Sequence, residues 1–320
     1  MLIKPLLILS IVYSIIGFNL FSANLDGKIS EIYSREDYSN VSANISNLKF
    51  NTLSTVEIKA NSNSAYINSR QYALIDDDSG VLLLGKDSDK RVPIASTTKI
   101  MTAVIALENY TLDETVTIKY DSTIQPGADS YLRTNEEITV SELLHCLLIK
   151  SGNDAAHALA VHMDKIEGIS IDEFIGKMNN KAEELNMNNT HYKDPAGLDT
   201  DGYSSAYDLS TITRYALKNK IFRQIVATKN YVATNTTKSI FHQLNNSNRL
   251  VNEYNYPGAI GVKTGFMPEA GHCFIGAAER DGQTLIAVIL STYADTATAS
   301  ADEAKKLLDW GFENVIWLNH

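Results

Sequence analysis

This sequence has too few cysteines to be held together by them. Only Cys146 and Cys273 occur, far apart and in no metal-ligand spacing, so two buried free thiols are the expectation. No C-x-x-C, H-E-x-x-H or G-x-x-x-x-G-K pattern is present, and nothing points to a metal or a cofactor. Basic residues are in deficit: 28 Lys and Arg stand against 38 Asp and Glu, for a net charge of −10. With no basic excess to neutralise phosphates, a nucleic-acid partner is not expected. No internal repeat occurs.

Long apolar runs are also scarce, with one exception at the N-terminus. Lys4 is followed by a mostly apolar stretch from Pro5 to Phe21. That pattern reads as an export signal over 1–23, with Ala23 as the candidate last leader residue, although bulky Phe21 makes a poor cleavage site. The run is at the lower edge of a spanning helix, so an uncleaved signal anchor is the alternative. Either way the functional part is expected outside the cytoplasm. From 24 to 65 the chain is rich in Ser and Asn with little periodicity, and reads as a linker.

The remainder, 66–320, has ordinary globular composition, since the whole chain is 44% hydrophobic and 21% charged. Two apolar runs flank Asp78-Ser79-Gly80, a hairpin signal. Ile100, Ala103, Val104 and Leu107 recur at helical spacing behind Ser96. Helical patterns also lie on both sides of Ser151-Gly152-Asn153, where Gly152 suggests a break. A further amphipathic helix starts near Ser170 or Asp172. After about Asn235 strands return: "GAIGVKTGF", then two runs joined by Asp281-Gly282, then a terminal amphipathic helix. Strands from both ends and helices between them predict an antiparallel sheet of about five strands carrying the terminal helix. A mainly helical subdomain, about 96–235, is inserted, and the site lies at the junction.

Three short motifs carry chemistry. Ser96 and Lys99 are three residues apart at the head of a helical run, so they share a face. A serine hydroxyl is a weak nucleophile until a base takes its proton. Lysine can be that base only where burial or a second cation destabilises its ammonium. Lys263 in "GVKTGF" is a candidate second cation. On a strand Lys263 and Gly265 face one way and Thr264 the other, and a twisted edge can still let the Thr264 hydroxyl reach a substrate. Gly265 leaves room for another backbone, so the amides of Ser96 and Phe266 can form an oxyanion hole. In "KSGNDAA", Ser151 can relay a proton between Lys99, Lys263 and a leaving nitrogen, and Asn153 can hold a substrate amide and Lys99 together. Each motif alone is weak. Their conjunction, S-x-x-K, S-x-N and K-T-G in that order, is strong.

With these motifs the chain resembles the low-molecular-mass penicillin-binding proteins that are D-alanyl-D-alanine carboxypeptidases. The likeness extends through "ASTTKIMTA", "SGNDAA", "DPAGLDTDGYSSAYDL", "EAGHCFIGAA" and "KKLLDWGF". It implies a β-lactamase/transpeptidase-like α/β (α+β) fold. It implies Ser96 as acylated nucleophile, Lys99 as general base, Ser151 and Asn153 as second motif, and Lys263 and Thr264 at the substrate's terminal carboxylate. The implied reaction removes the last D-alanine from a peptidoglycan stem peptide, and β-lactams would acylate the same serine. One departure stands out. An arginine common before the terminal helix is replaced by Ser300 and Ala301, leaving Arg249 or Arg280 as substitutes. The likeness ends with the chain, so no C-terminal β-rich domain is expected and membrane attachment would fall to the N-terminal segment.

Other readings are a D,D-endopeptidase with the same core, a β-lactamase, and a non-catalytic cell-wall-binding module. A class A β-lactamase positions its water with a glutamate. Glu183 and Glu184 only superficially fit, because they lie in an amphipathic helical run. The module would be expected to lose a motif residue, and none is lost. His272 is expected to be structural, with the cleft border as the alternative. His145, His157 and His162 show no partner set for a metal. Asp154 reads as a helix-starting residue, and Tyr203 and Asp208 as props for a loop under the site.

Overall fold

The run Leu285–Leu290 has no polar residue at alternate positions, as a strand covered on both faces requires. In the computed structural model it forms the middle of a five-stranded antiparallel sheet. The structure describes residues 56–318, except 64, 168, 169, 295 and 297. The leader and most of the segment read as linker lie outside the described residues.

The sheet contains β2 (Ser69–Asp76), β3 (Leu82–Lys86), β8 (Ala259–Met267), β9 (Gly271–Arg280) and β10 (Gln283–Thr292), in the order β3-β2-β10-β9-β8. β1 (Val56–Ile58) pairs with β11 (Val315–Trp317) beside it. This corrects the linker reading, which ran to 65; a three-residue strand is too short to show a period. The hairpin around Ser79-Gly80 forms as expected, with the Asp76 carboxylate accepting from Ser79 N at 2.8 Å.

The helical region holds α1 (Lys99–Asn109), α2 (Tyr120–Thr123), α3 (Val140–His145), α4 (Asn153–Glu167), α5 (Ile171–Glu184), α6 (Ala206–Leu217) and α7 (Lys220–Ala227). It also holds two small ribbons not foreseen in the sequence. One pairs β4 (Thr115–Thr117) with β5 (Glu137–Thr139), the other β6 (Asn230–Thr234) with β7 (Phe241–Asn245). α5 starts at Ser170, whose side chain and Glu173 form a reciprocal capping box. The chain returns through α8 (Ala299–Asn314).

Alternation along β10 divides the core. Leu285, Ala287 and Ile289 pack with Leu307 and Leu308 of α8. Ile286, Val288 and Leu290 join the larger cluster built with α1, α4 and α6. The terminal helix therefore closes one face of the sheet and the helical insertion the other. β8, at the sheet's edge, packs against the turn that precedes α1. Among the described residues no helix is long and apolar enough to cross a membrane.

Candidate active site

The S-x-x-K pair is built on a tighter turn than the sequence suggests. Residues Ala95–Thr98 form one 3-10 turn, and the α-helix begins only at Lys99. In a 3-10 turn residues i and i+3 eclipse, which brings the two side chains closer than an α-helix would. Lys99 Nζ lies 2.8 Å from Ser96 Oγ. Its other neighbours are Asn153 Oδ1 at 2.6 Å and the Ala196 carbonyl at 2.8 Å.

Those two oxygens can only accept. They take two N–H bonds from the amine, and the remaining tetrahedral direction points at Ser96. A neutral amine has two N–H groups and one lone pair, so it fits this surround with its lone pair on the serine hydroxyl. The electrostatics agree. Lys99 is fully buried, and burial brings it down to about 7 against the opposing charges of Asp194 and Asp154.

The second motif depends on a local distortion. Residues Cys146–Lys150 form a π turn, which ends with Ser151 in the left-handed region at φ 68°. This turns the Ser151 hydroxyl to Lys263 Nζ, at 2.8 Å. Lys263 also donates to the Thr264 carbonyl at 2.9 Å. Lys263 is buried and lies well below the ordinary lysine range, chiefly through desolvation and further through the Lys99 charge. The hydroxyl predicted to serve both lysines is thus bonded to Lys263. Asn153, predicted to hold a substrate amide, spends a side-chain N–H on the Pro126 carbonyl.

On β8 the expected alternation is relaxed in effect. The long Lys263 side chain reaches Ser151 from a buried position, while Thr264 and Gly265 both line the cleft. Thr264 Oγ1 lies 2.8 Å from Ser247 Oγ. A Cβ on Gly265 would stand 3.0 Å from Ser96 N and 3.2 Å from the Ile94 carbonyl. Both are backbone atoms that cannot swing away. Gly265→Ala is therefore expected to push β8 off the 3-10 turn and slow penicillin acylation roughly 10- to 100-fold. The second-order acylation rate of the variant is the check. Phe266 follows at the rim, its ring 4.4 Å from that of His272.

These residues surround a cleft of about 480 Å³. Arg249 and Ser300 line it as well, with Arg249 also paired to Glu253. Arg280 is not a cleft residue; it stacks 4.8 Å from the Tyr256 ring and pairs with Asp309. Glu183 and Glu184 do not line the cleft, and Glu184 pairs with Lys181. His272 does border it. His145, His157 and His162 bond Ser141, Ser122 and Glu114, respectively. Cys146 and Cys273 are free and buried.

Several contributors were missed in the sequence. Asp194 accepts from the amides of Ala196, Gly197, Leu198 and Asp199, which folds the loop that delivers the Ala196 carbonyl to Lys99. Gly197, at φ 77°, lies so close to the Ala95 carbonyl that a Cβ would fall 2.0 Å from its oxygen. "DPAG" is the one signal that could have marked this turn. Below it Asp208 accepts from Asn189 N at 2.7 Å and Thr190 Oγ1 at 2.8 Å, while Tyr203 pairs with His191.

The sheet, its helical insertion and the cleft between them define a serine peptidase. Residues 57–294 match the profile of the D-alanyl-D-alanine carboxypeptidase family, peptidase S11, and the chain belongs to that family. It is 38% identical over 257 residues to the D-alanyl-D-alanine carboxypeptidase of Streptomyces sp. strain K15, covering 75% of this chain and 86% of that one. It is 36% identical over 251 residues to DacF of Bacillus subtilis, named a D-alanyl-D-alanine carboxypeptidase. That match covers 76% of this chain and 62% of the relative, so the chain spans under two thirds of the Bacillus protein. The crystal structure of the Streptomyces K15 DD-transpeptidase superposes with a TM-score of 0.72 at 36% identity, covering 78% of this chain and 99% of that one.

Proposed function

We propose that the chain is a serine-type D-Ala-D-Ala carboxypeptidase that trims peptidoglycan stem peptides through an acyl-enzyme. The observation that carries this reading is a buried Lys99 amine, brought to about 7, at 2.8 Å from the Ser96 hydroxyl. Ser96 Oγ attacks the carbonyl carbon of the penultimate D-alanine as its proton passes to the Lys99 lone pair. The developing oxyanion is held by the amides of Ser96 and Phe266. The C–N bond then breaks, and the leaving D-alanine nitrogen takes the proton that Lys99 had accepted, relayed through the Ser151 hydroxyl beside Lys263, which leaves Lys99 neutral again. Water, activated by the same amine, cleaves the Ser96 ester and returns the free hydroxyl.

The terminal carboxylate of the substrate fits the Thr264–Ser247 hydroxyl pair, with Lys263 behind it and Arg249, half-buried and shared with Glu253, supplying positive charge. A β-lactam places its strained amide and carboxylate in the same positions, acylates Ser96 and leaves slowly. The cross-link-cutting alternative keeps every step and changes only the leaving group. It is supported by 33% identity over 255 residues to the D-alanyl-D-alanine endopeptidase of Haemophilus influenzae.

Peptidoglycan as substrate puts the enzyme outside the cytoplasm, with the segment 1–23 as the export signal or anchor. Labelled penicillin followed by peptide mapping is expected to place one adduct on Ser96. Incubation with a D-Ala-D-Ala pentapeptide is expected to release free D-alanine. An adduct on another serine would reassign the nucleophile, and cleavage of cross-linked dimers without D-alanine release would favour the endopeptidase.

A further inference from the structure

One wall of the cleft is an irregular loop between α2 and β5, with Gly127 and Ala128 facing the cleft. No ladder holds this wall, yet it is fastened on two sides. From one side, the Asp154 carboxylate accepts Ser130 N at 3.1 Å, Leu132 N at 3.1 Å and Ala155 N at 2.8 Å. Asp154 is only 2% exposed. From the other side, His242 Nδ1 lies 3.0 Å from the Ser130 carbonyl and Nε2 lies 2.8 Å from Glu136 Oε1. Both partners are acceptors, so both ring nitrogens donate. Glu136 in turn accepts from Arg133 N at 2.9 Å.

The fastened loop presents two carbonyls to the S-x-N motif. Ala128 O accepts Asn153 N at 2.7 Å, and Pro126 O accepts the Asn153 side-chain amide. With its nitrogen fixed there, Asn153 must aim Oδ1 at Lys99 Nζ. The approach is so close that a Cβ on Gly152 would fall 2.3 Å from Ser130 Oγ and 2.5 Å from Asp154 Oδ1. We infer that Asp154 is a positioning residue for acylation: by clamping the Pro126–Leu132 loop it fixes Asn153, and through Asn153 the lone-pair direction of Lys99. This rests on the reading of Lys99 as the base.

Positioning and charge predict opposite signs. The Asp154 carboxylate raises the basicity of Lys99. Burial raises Asp154 itself to about 7, so wherever it is ionised, removing that charge alone would leave more neutral amine and speed acylation. Loss of the clamp would slow it. Asp154→Asn separates the two, because it keeps the shape but turns an N–H₂ toward amides that need an acceptor.

The experiment uses the full chain and labelled penicillin, on the alkaline plateau where Lys99 is neutral in both proteins. The first-order acylation constant of Asp154→Asn is expected to fall roughly 10- to 100-fold, a loss typical of small misplacements. The non-covalent binding constant is expected to stay within about threefold, since the clamp does not touch substrate. The double variant Asn153→Ala/Asp154→Asn is expected to be no slower than Asn153→Ala alone, because the two act in series. An unchanged or raised acylation constant, or effects that multiply, overturns the inference. Should Asp154→Asn fail to fold, His242→Gln releases the loop from its other side and carries the same expectations. Wild-type acylation by Lys99→Met would instead overturn the base assignment, a separate failure.

Discussion

Ser96→Ala is expected to abolish both penicillin labelling and D-alanine release while leaving the fold intact. The effect on turnover should be at least about 10⁴-fold, the scale seen when a covalent nucleophile is removed from a working site. Labelling should vanish outright, because no ester can form without Oγ. The fold should survive because little of it depends on this side chain. Lys99 retains Asn153 Oδ1 and the Ala196 carbonyl as partners when Ser96 Oγ is gone. One lost hydrogen bond at a partly exposed position is worth about 1 kcal/mol. Thermal unfolding beside the labelling assay separates chemistry from folding. A variant that folds and still takes up label stoichiometrically would remove Ser96 from the reaction.

Lys99 is expected to give the second-largest effect, through charge state. The wild-type acylation rate should rise about tenfold per pH unit in acid and level off above about 7, where the buried amine is neutral. Lys99→Met keeps length and neutrality but offers no lone pair of useful basicity. Lys99→Arg offers a cation that stays protonated at every accessible pH. Both should lose about 10³-fold or more in acylation, and neither should show the limb near 7. Burial of a permanent charge should also make the arginine variant the less stable of the two. Stability has its own sign. Between about 7 and the ordinary lysine value, the unfolded chain binds a proton that native Lys99 does not. The wild-type advantage over Lys99→Met should therefore grow with pH across that interval and be smallest below it. An acylation limb near 7 that survives in Lys99→Met would move the base elsewhere.

Much of this site was legible in the sequence, because its chemistry is carried by side chains at short, fixed spacings. Ser96 with Lys99 and Ser151 with Asn153 each lie within one or two turns of chain. Lys263, Thr264 and Gly265 are consecutive. The sheet was legible because β9 and β10 carry the apolar runs Cys273–Ala278 and Leu285–Leu290 on either side of a turn. What escaped were contacts made by main-chain groups, since a carbonyl leaves no residue-type signature. The Ala196 carbonyl on Lys99 and the Pro126 and Ala128 carbonyls on Asn153 are of this kind. Contacts across large separations escaped for a second reason. Ser247 meets Thr264, 17 positions on, and Arg249 rather than Arg280 joins the cleft, placements that no local pattern marks. The short strands β1 and β11 are each too brief to show a period before they are seen paired.

The two depressed lysines have a consequence for the timing of reactivity. Their altered proton affinity comes chiefly from enclosure, and their partners arrive from segments 54 to 112 positions away in the chain. In a nascent or denatured polypeptide both amines revert to fully protonated cations and Ser96 is as inert as any other hydroxyl. Covalent capture by an antibiotic thus reports assembled molecules alone, and a single label can count how many copies in a population have completed folding.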